Sequence, residues 1–255
     1  MIKNISKAIL FILLISVPSF QAIAQRIVYS VQNAHSHNDY ENKVPFFTAY
    51  NAGFGSIEAD VFPVNGKLYV AHDKASISLE RTLQALYLDP LFQKLSVDKS
   101  RHLILLVDIK EDYRLSLPIL INELNPLQPF IKSGQLQIVI SGNRPEPAEF
   151  SNYPDYIYFD DDQSRKSSAE QWGRVGLVSL RFTNLSSWKG DGKMMKEEMS
   201  RIKSTVHIAH KAGKKIRFWG APDNPQTWKL LMKLNVDLIG TDKIEQLATF
   251  LKHSR

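Results

Sequence analysis

Cysteine is absent from this 255-residue chain. That excludes disulfides, a thiol nucleophile, thiolate metal ligands and lipid attachment through a cysteine. The N-terminal apolar run, Ala8 to Val17, is shorter than the roughly 20 residues that span a bilayer. No run of Lys or Arg carries interleaved aromatics, so the formal charge of +6 makes no case for a nucleic-acid partner. A glycine-rich phosphate loop is missing after the first expected strand, which ranks a doubly wound nucleotide-binding sheet second. Internal repeats and low-complexity stretches are lacking too, which leaves an adhesive or structural role unsupported.

What is present begins with a secretory pattern. Lys3 and Lys7 precede the apolar run, and Ala22-Ile23-Ala24 supplies small residues for cleavage between Ala24 and Gln25. Residues 1–24 are therefore expected to be a signal peptide, an uncleaved anchor being the alternative. Their removal takes two lysines and lowers the formal charge from +6 to +4. An exported chain without disulfides suggests a bacterial periplasm or exterior. Residues 25–255 suit a single domain, and an apolar content of 44% supplies a sizeable core.

Short β-branched runs at 27–33, 56–62, 102–109, 136–141, 156–159, 177–181, 215–219 and 236–240 read as strands. Helical spacing occupies 48–52, 79–88, 114–124, 168–174, 194–212, 225–234 and 244–251, and the proline-rich connection at 145–154 holds little helix. This alternation predicts an α/β fold, a (β/α)8 TIM barrel. In such barrels chemistry sits at the C-terminal strand ends. His35, Asp60, Asp108, Asn143, Asp160, Arg181, Trp219 and Asp242 all fall at or just past expected strand ends.

Glu58 and Asp60 alternate with Ile57, Ala59 and Val61, so both carboxylates share one face of a strand. Two buried like charges call for a cation, and carboxylate oxygens suit Mg2+ or Ca2+. A half-exposed strand with an acidic outer face fits the same alternation. Around the pair stand Ala34-His35-Ser36-His37-Asn38-Asp39-Tyr40, then His72 after a turn at Asn65-Gly66, then Asp108-Ile109-Lys110.

In order, the runs AHSHNDY, GSIEADVF, LYVAHD, RTLQALYLDPL, LLVDIKED and FWGAPDNPQTW are spread from residue 34 to residue 228, across most of the mature chain. This order resembles the phosphatidylinositol-specific phospholipase C and glycerophosphodiester phosphodiesterase superfamily, most closely the branch typified by the altered inheritance of mitochondria protein. The resemblance implies a PI-PLC-like barrel in which Glu58, Asp60 and Asp108 hold one divalent cation, Mg2+ or Ca2+. It implies His35 as base and His72 as acid, or the reverse. Many relatives carry Glu where this chain has Asp108, while the spider sphingomyelinase branch carries Asp. The ordinary glycerophosphodiesterase pattern has His-Arg-Gly after the first strand, where this chain has His35-Ser36-His37.

Lys110 shares a face with Asp108 and is expected to bind phosphate as a point charge, with Asn38 and Arg181 as further candidates. Trp219 is expected to wall the organic part of the substrate, Phe218 to face the helices, and Trp228 to lie in the core. His37 is expected to stand apart from catalysis, and the run Asp160-Asp161-Asp162 to be solvated, an extension of the acidic site being the alternative. The leading function is a secreted, metal-dependent phosphodiester hydrolase acting on a phospholipid headgroup, a glycerophosphodiester or a related small phosphodiester. The alternative is an inactive barrel that binds a phosphate-containing or lipid ligand. Neither a protein partner nor, after signal removal, an integral membrane segment is implied.

Overall fold

The apolar runs form nine strands among the residues that this computed structural model describes, 27–164 and 167–254. They are β1 (Ala34–Ser36), β2 (Ser56–Val64), β3 (Lys67–Val70), β4 (Leu103–Ile109), β5 (Leu136–Gly142), β6 (Ile157–Asp161), β7 (Val175–Arg181), β8 (Ile216–Trp219) and β9 (Ile239–Thr241). Between and after them lie α1 (Phe47–Ala52), α2 (Asp89–Val97), α3 (Tyr113–Glu123), α4 (Gln128–Lys132), α5 (Ala169–Gly173), α6 (Lys196–Lys211), α7 (Pro225–Lys233) and α8 (Ile244–His253). Hydrogen-bonded neighbours run β8-β7-β6-β5-β4-β2-β1-β9, every pair parallel. A parallel bridge from Arg217 to Leu238 draws β8 toward β9 and nearly closes an eight-stranded barrel.

Alternation sorts the side chains into two cores and one mouth. Leu103, Leu105, Val107 and Ile109 on β4 face the helices, within the large apolar cluster. Ile104 and Leu106 point into the barrel, where they pack with Val139, Leu177 and Leu238. One step further along the same inward row stands Asp108. The register then sets neighbours side by side at the C-terminal rim: Asp60 beside Asp108, Asp108 beside Ser141, Ser179 beside Arg217, and Arg181 beside Trp219. The barrel is thus apolar at its floor and ionisable at its mouth.

Four expectations shift. The first strand is Ala34–Ser36 rather than 27–33, because Ser30 caps a 3-10 turn at Val31–Asn33. Tyr29 and Asn33 instead bond to the carbonyls of Val236 and Asp237. β3 is an added antiparallel strand that doubles back on β2 through Asn65-Gly66, both at positive φ as a tight hairpin requires. The helix expected at 79–88 begins later, as a π-helical turn at Gln84–Leu88, and runs on through α2 (Asp89–Val97). A short helix, α4, was not expected. Phe218 and Trp228 are buried, as expected for residues facing the helices and the core. The expected signal peptide, 1–24, lies outside the described residues. No helix among the described residues is long and apolar enough to cross a membrane.

Candidate active site

Glu58, Asp60 and Asp108 come together at the mouth, each offering an oxygen within 4.8 Å of the others. Asp60 is fully buried, and its two oxygens differ. Oδ2 accepts from Lys110 Nζ at 2.7 Å and from the Tyr40 hydroxyl at 2.7 Å, whereas Oδ1 is buried with no protein partner. Burial, then the Glu58 charge, pushes the Asp60 carboxyl up to about 6 against the pull of Lys110. Asp108 is raised as well, chiefly by burial, although Lys110 lies 3.1 Å from its Oδ1. Three carboxylates face two cations, Lys110 beside Asp60 and Asp108 and Arg217 beside Glu58, which leaves one negative charge uncompensated, and the orphaned Oδ1 is a hard oxygen donor; this set fits a divalent cation. Gly142, at φ +67, keeps the space beside Asp108 open, since a Cβ there would strike the Asp108 carboxylate.

Arg217, which sequence reasoning passed over, is the buried cation of the site. Its Nη1 donates to Glu58 Oε2 at 2.8 Å and to His35 Nε2 at 2.6 Å, while its Nε donates to Ser179 Oγ at 2.8 Å. A guanidinium only donates, so Nε2 must be unprotonated and the proton of neutral His35 sits on Nδ1, facing Ser56 Oγ at 2.8 Å. The 2.9 Å approach of Nε2 to Glu58 Oε2 is then bridged by the guanidinium. Burial first, then Arg217, lowers the His35 pKa to about 4. Burial works against the Glu58 charge too, yet Arg217 holds that carboxyl well below the usual range. The signal for Arg217 was its place two residues before Trp219, alternating with Ile216 and Phe218.

His72 lies on the other flank. Its side chain is 61% exposed and its Nδ1 is 3.0 Å from the Tyr40 hydroxyl. Lys110, Asn38, Arg181 and Trp219 line one cavity of about 540 Å3 together with Glu58, Asp108 and His72. The Arg181 guanidinium stacks over the Trp219 ring at 5.1 Å. His35, fully buried, does not line this cavity. His37 does, and its Nδ1 bonds to Asp242 Oδ1 at 2.8 Å. Burial opposes charge on His37, but the Asp242 hydrogen bond and the Glu58 charge raise its pKa.

The expectation that Asp160 and Asp161 are solvated is overturned, since both are buried on β6. The strand extends through them, and Asp160 turns inward to accept from Ser141 Oγ at 3.0 Å. Burial pushes its carboxyl up to about 6, against the pull of Arg217. Only Asp162 of the run is exposed, and it too lines the cavity.

Residues 23–99 match a family model described as an AIM6-like phosphodiesterase domain, a span that includes His35, Glu58, Asp60 and His72. Residues 215–245, which include Arg217, Trp219 and Asp242, match the glycerophosphoryl diester phosphodiesterase family. Altered inheritance of mitochondria protein 6 homolog from Arthroderma benhamiae is 29% identical over 82% of this chain and 81% of its own length. Altered inheritance of mitochondria protein 6 from Eremothecium gossypii is 27% identical over 91% of this chain and 73% of its own. The chain is thus similar to AIM6-like proteins of the glycerophosphodiester phosphodiesterase and phospholipase C-like superfamily. The barrel is likewise that of a glycerophosphodiester phosphodiesterase from Parabacteroides distasonis, with a TM-score of 0.56 at 14% identity over 87% of this chain and 98% of the other. The curated relatives of this AIM6-like chain are fungal and lend no support to the bacterial compartment expected from the sequence.

Proposed function

We propose that this AIM6-like chain is a secreted phosphodiester hydrolase that uses one divalent cation, Mg2+ or Ca2+, held by Glu58, Asp60 and Asp108. The observation that carries this reading is the buried, partnerless Asp60 Oδ1 inside a three-carboxylate cluster at the barrel mouth. When bound, the cation supplies Lewis-acid polarisation of a phosphoryl oxygen. The substrate is a phospholipid headgroup, a glycerophosphodiester or a related small phosphodiester. Lys110 and Arg181 offer it cations, and Asn38 a polar contact. Trp219 offers a wall to the organic part.

His72, exposed at the cavity, is proposed as the acid that protonates a departing alkoxide. His35 is proposed as the base, which requires its Nε2 to leave Arg217. One observation favours a second assignment for that role: His37 lines the cavity, and Asp242 engages its Nδ1, so its Nε2 remains for substrate.

Turnover of glycerophosphodiesters, lysophospholipids and p-nitrophenyl phosphodiesters tests the reading, with EDTA and with Mg2+ or Ca2+ restored. Activity is expected to vanish with chelator and return with either hard cation. Glu58→Gln, Asp60→Asn and Asp108→Asn are each expected to weaken cation binding, with partial rescue by excess ion. Binding of phosphodiesters without metal-restored turnover would instead favour the inactive barrel.

A further inference from the structure

Tyr40 is only 3% exposed, yet its hydroxyl stands between two groups of the proposed reaction. It lies 2.7 Å from Asp60 Oδ2 and 3.0 Å from His72 Nδ1. A hydroxyl has one proton to give and lone pairs to receive. Asn38 Oδ1, at 2.9 Å, competes for that proton, but an ionised carboxylate is the stronger and closer acceptor. With the proton committed to Asp60, the oxygen accepts from His72, and Nδ1 must carry the hydrogen. Nε2 is then the ring nitrogen left to exchange protons.

His72 has need of such an anchor. Its approaches to Asp60 Oδ2 and Glu41 Oε1, at 3.9 and 4.0 Å, exceed hydrogen-bond length. Tyr40 is itself well fixed, because its carbonyl accepts from Arg81 and it follows Asp39, whose carboxylate takes bonds from Ser36, Tyr87 and the Phe46 N–H.

We propose that Tyr40 is a positioning residue, holding His72 with its hydrogen on Nδ1 and its Nε2 turned to the leaving oxygen while fixing the orientation of Asp60. The inference rests on the phosphodiesterase reading above. In the step concerned, a water oxygen bonds to phosphorus as the P–O ester bond breaks. The departing alkoxide takes the Nε2 proton of the His72 imidazolium, which becomes neutral with its remaining hydrogen on Nδ1. The attacking water gives one proton to the base, and exchange with solvent resets both groups.

The test uses the full mature chain with the divalent cation at saturation. Tyr40→Phe keeps the ring and removes the hydroxyl. For diesters with alkyl leaving groups kcat should fall ~10-fold or more with little change in KM, whereas p-nitrophenyl esters, whose leaving group departs without a proton, should lose less than ~3-fold. His72→Ala should show the same split. Adding Tyr40→Phe to His72→Ala should change the rate by less than ~2-fold, because the two act as a unit. Equal losses on both substrate types, or a full additional loss in the double variant, would overturn the proposal. Nitrogen-15 spectra of neutral His72 in the unmutated protein give a readout independent of turnover and of any variant: hydrogen on Nδ1 is expected, and hydrogen on Nε2 overturns the inference. Unmutated protein that turns over no phosphodiester sinks the functional reading and this inference with it, an outcome distinct from a failure of the tyrosine alone.

Discussion

Arg217 donates to the ring nitrogen of His35 that a general base would need, at 2.6 Å. The same nitrogen of the guanidinium holds Glu58 Oε2 at 2.8 Å, so one buried cation compensates a proposed metal ligand and caps its histidine neighbour. Truncating it leaves the Glu58 charge buried without its partner, a change that costs about 3 kcal/mol or more in comparable sites. Arg217→Met is therefore expected to lower the unfolding temperature in EDTA, and Mg2+ or Ca2+ should restore more of that loss than it adds to the unmutated protein. Thermal unfolding of both proteins with and without the cation checks this. An equal shift in the two would separate Arg217 from the carboxylate cluster.

His35 and His37 compete for the base role, and their surroundings differ enough to be told apart. His35 is buried among Ser56, Glu58 and Arg217, while the His37 side chain is 32% exposed at the cavity. If His35 is the base, His35→Ala should cut kcat by ~100-fold or more while His37→Ala costs less than ~3-fold. The reverse pattern, with added imidazole restoring turnover to His37→Ala, would move the role to His37. A small molecule can reach a cavity at the exposed position far more readily than one at the buried position.

The barrel was legible because its signals are local. Eight short β-branched runs alternate with helical spacing, and the pairing of Glu58 with Asp60 follows from strand periodicity alone. Arg217 was hidden for the opposite reason: its partners, His35 and Glu58, lie 182 and 159 residues away. Only barrel closure joins them. Tyr40 was visible within the run His37-Asn38-Asp39-Tyr40, but its reach to His72 depends on the hairpin that carries β3, which sequence reasoning did not treat as a strand. Asp160 and Asp161 were misjudged because a run of three acids resembles a solvated loop; the extension of β6 through the first two buries them.

Asp160 gives a test by acidity. Burial raises its carboxyl to about 6, above the ordinary range near 4, so between those values the folded state binds the proton more tightly than the unfolded chain does. Its contribution to stability therefore falls as pH rises through that window and levels off above it. Asp160→Asn carries no such charge. The stability difference between variant and unmutated protein should move in favour of the variant from about pH 4 to about pH 6, by at most ~1.4 kcal/mol per pH unit, and stay flat above. Chemical denaturation of both proteins across that range measures it. A difference independent of pH would mean that Asp160 is not a buried, raised acid.

Lys110 and Trp219 should separate recognition of phosphate from recognition of what the phosphate carries. Lys110 Nζ lies 2.7 Å from Asp60 Oδ2 and 3.1 Å from Asp108 Oδ1, at the cluster proposed to hold the cation and, through it, a phosphoryl oxygen. Charge that grows on phosphorus-bound oxygens in the transition state is common to every phosphodiester, so Lys110→Met should lower kcat by a similar factor for all substrates. Trp219 is 39% exposed, lines the same cavity and stacks with Arg181, out of the carboxylate cluster. An aromatic wall contacts the organic group, so Trp219→Ala should change the ranking of substrates rather than scale them together. Kinetics of both variants on a panel that shares one phosphodiester core and varies the alcohol decides the matter. If the lysine variant reorders the panel and the tryptophan variant scales it uniformly, the phosphate lies against Trp219 and Arg181, and the carboxylate cluster faces the alcohol.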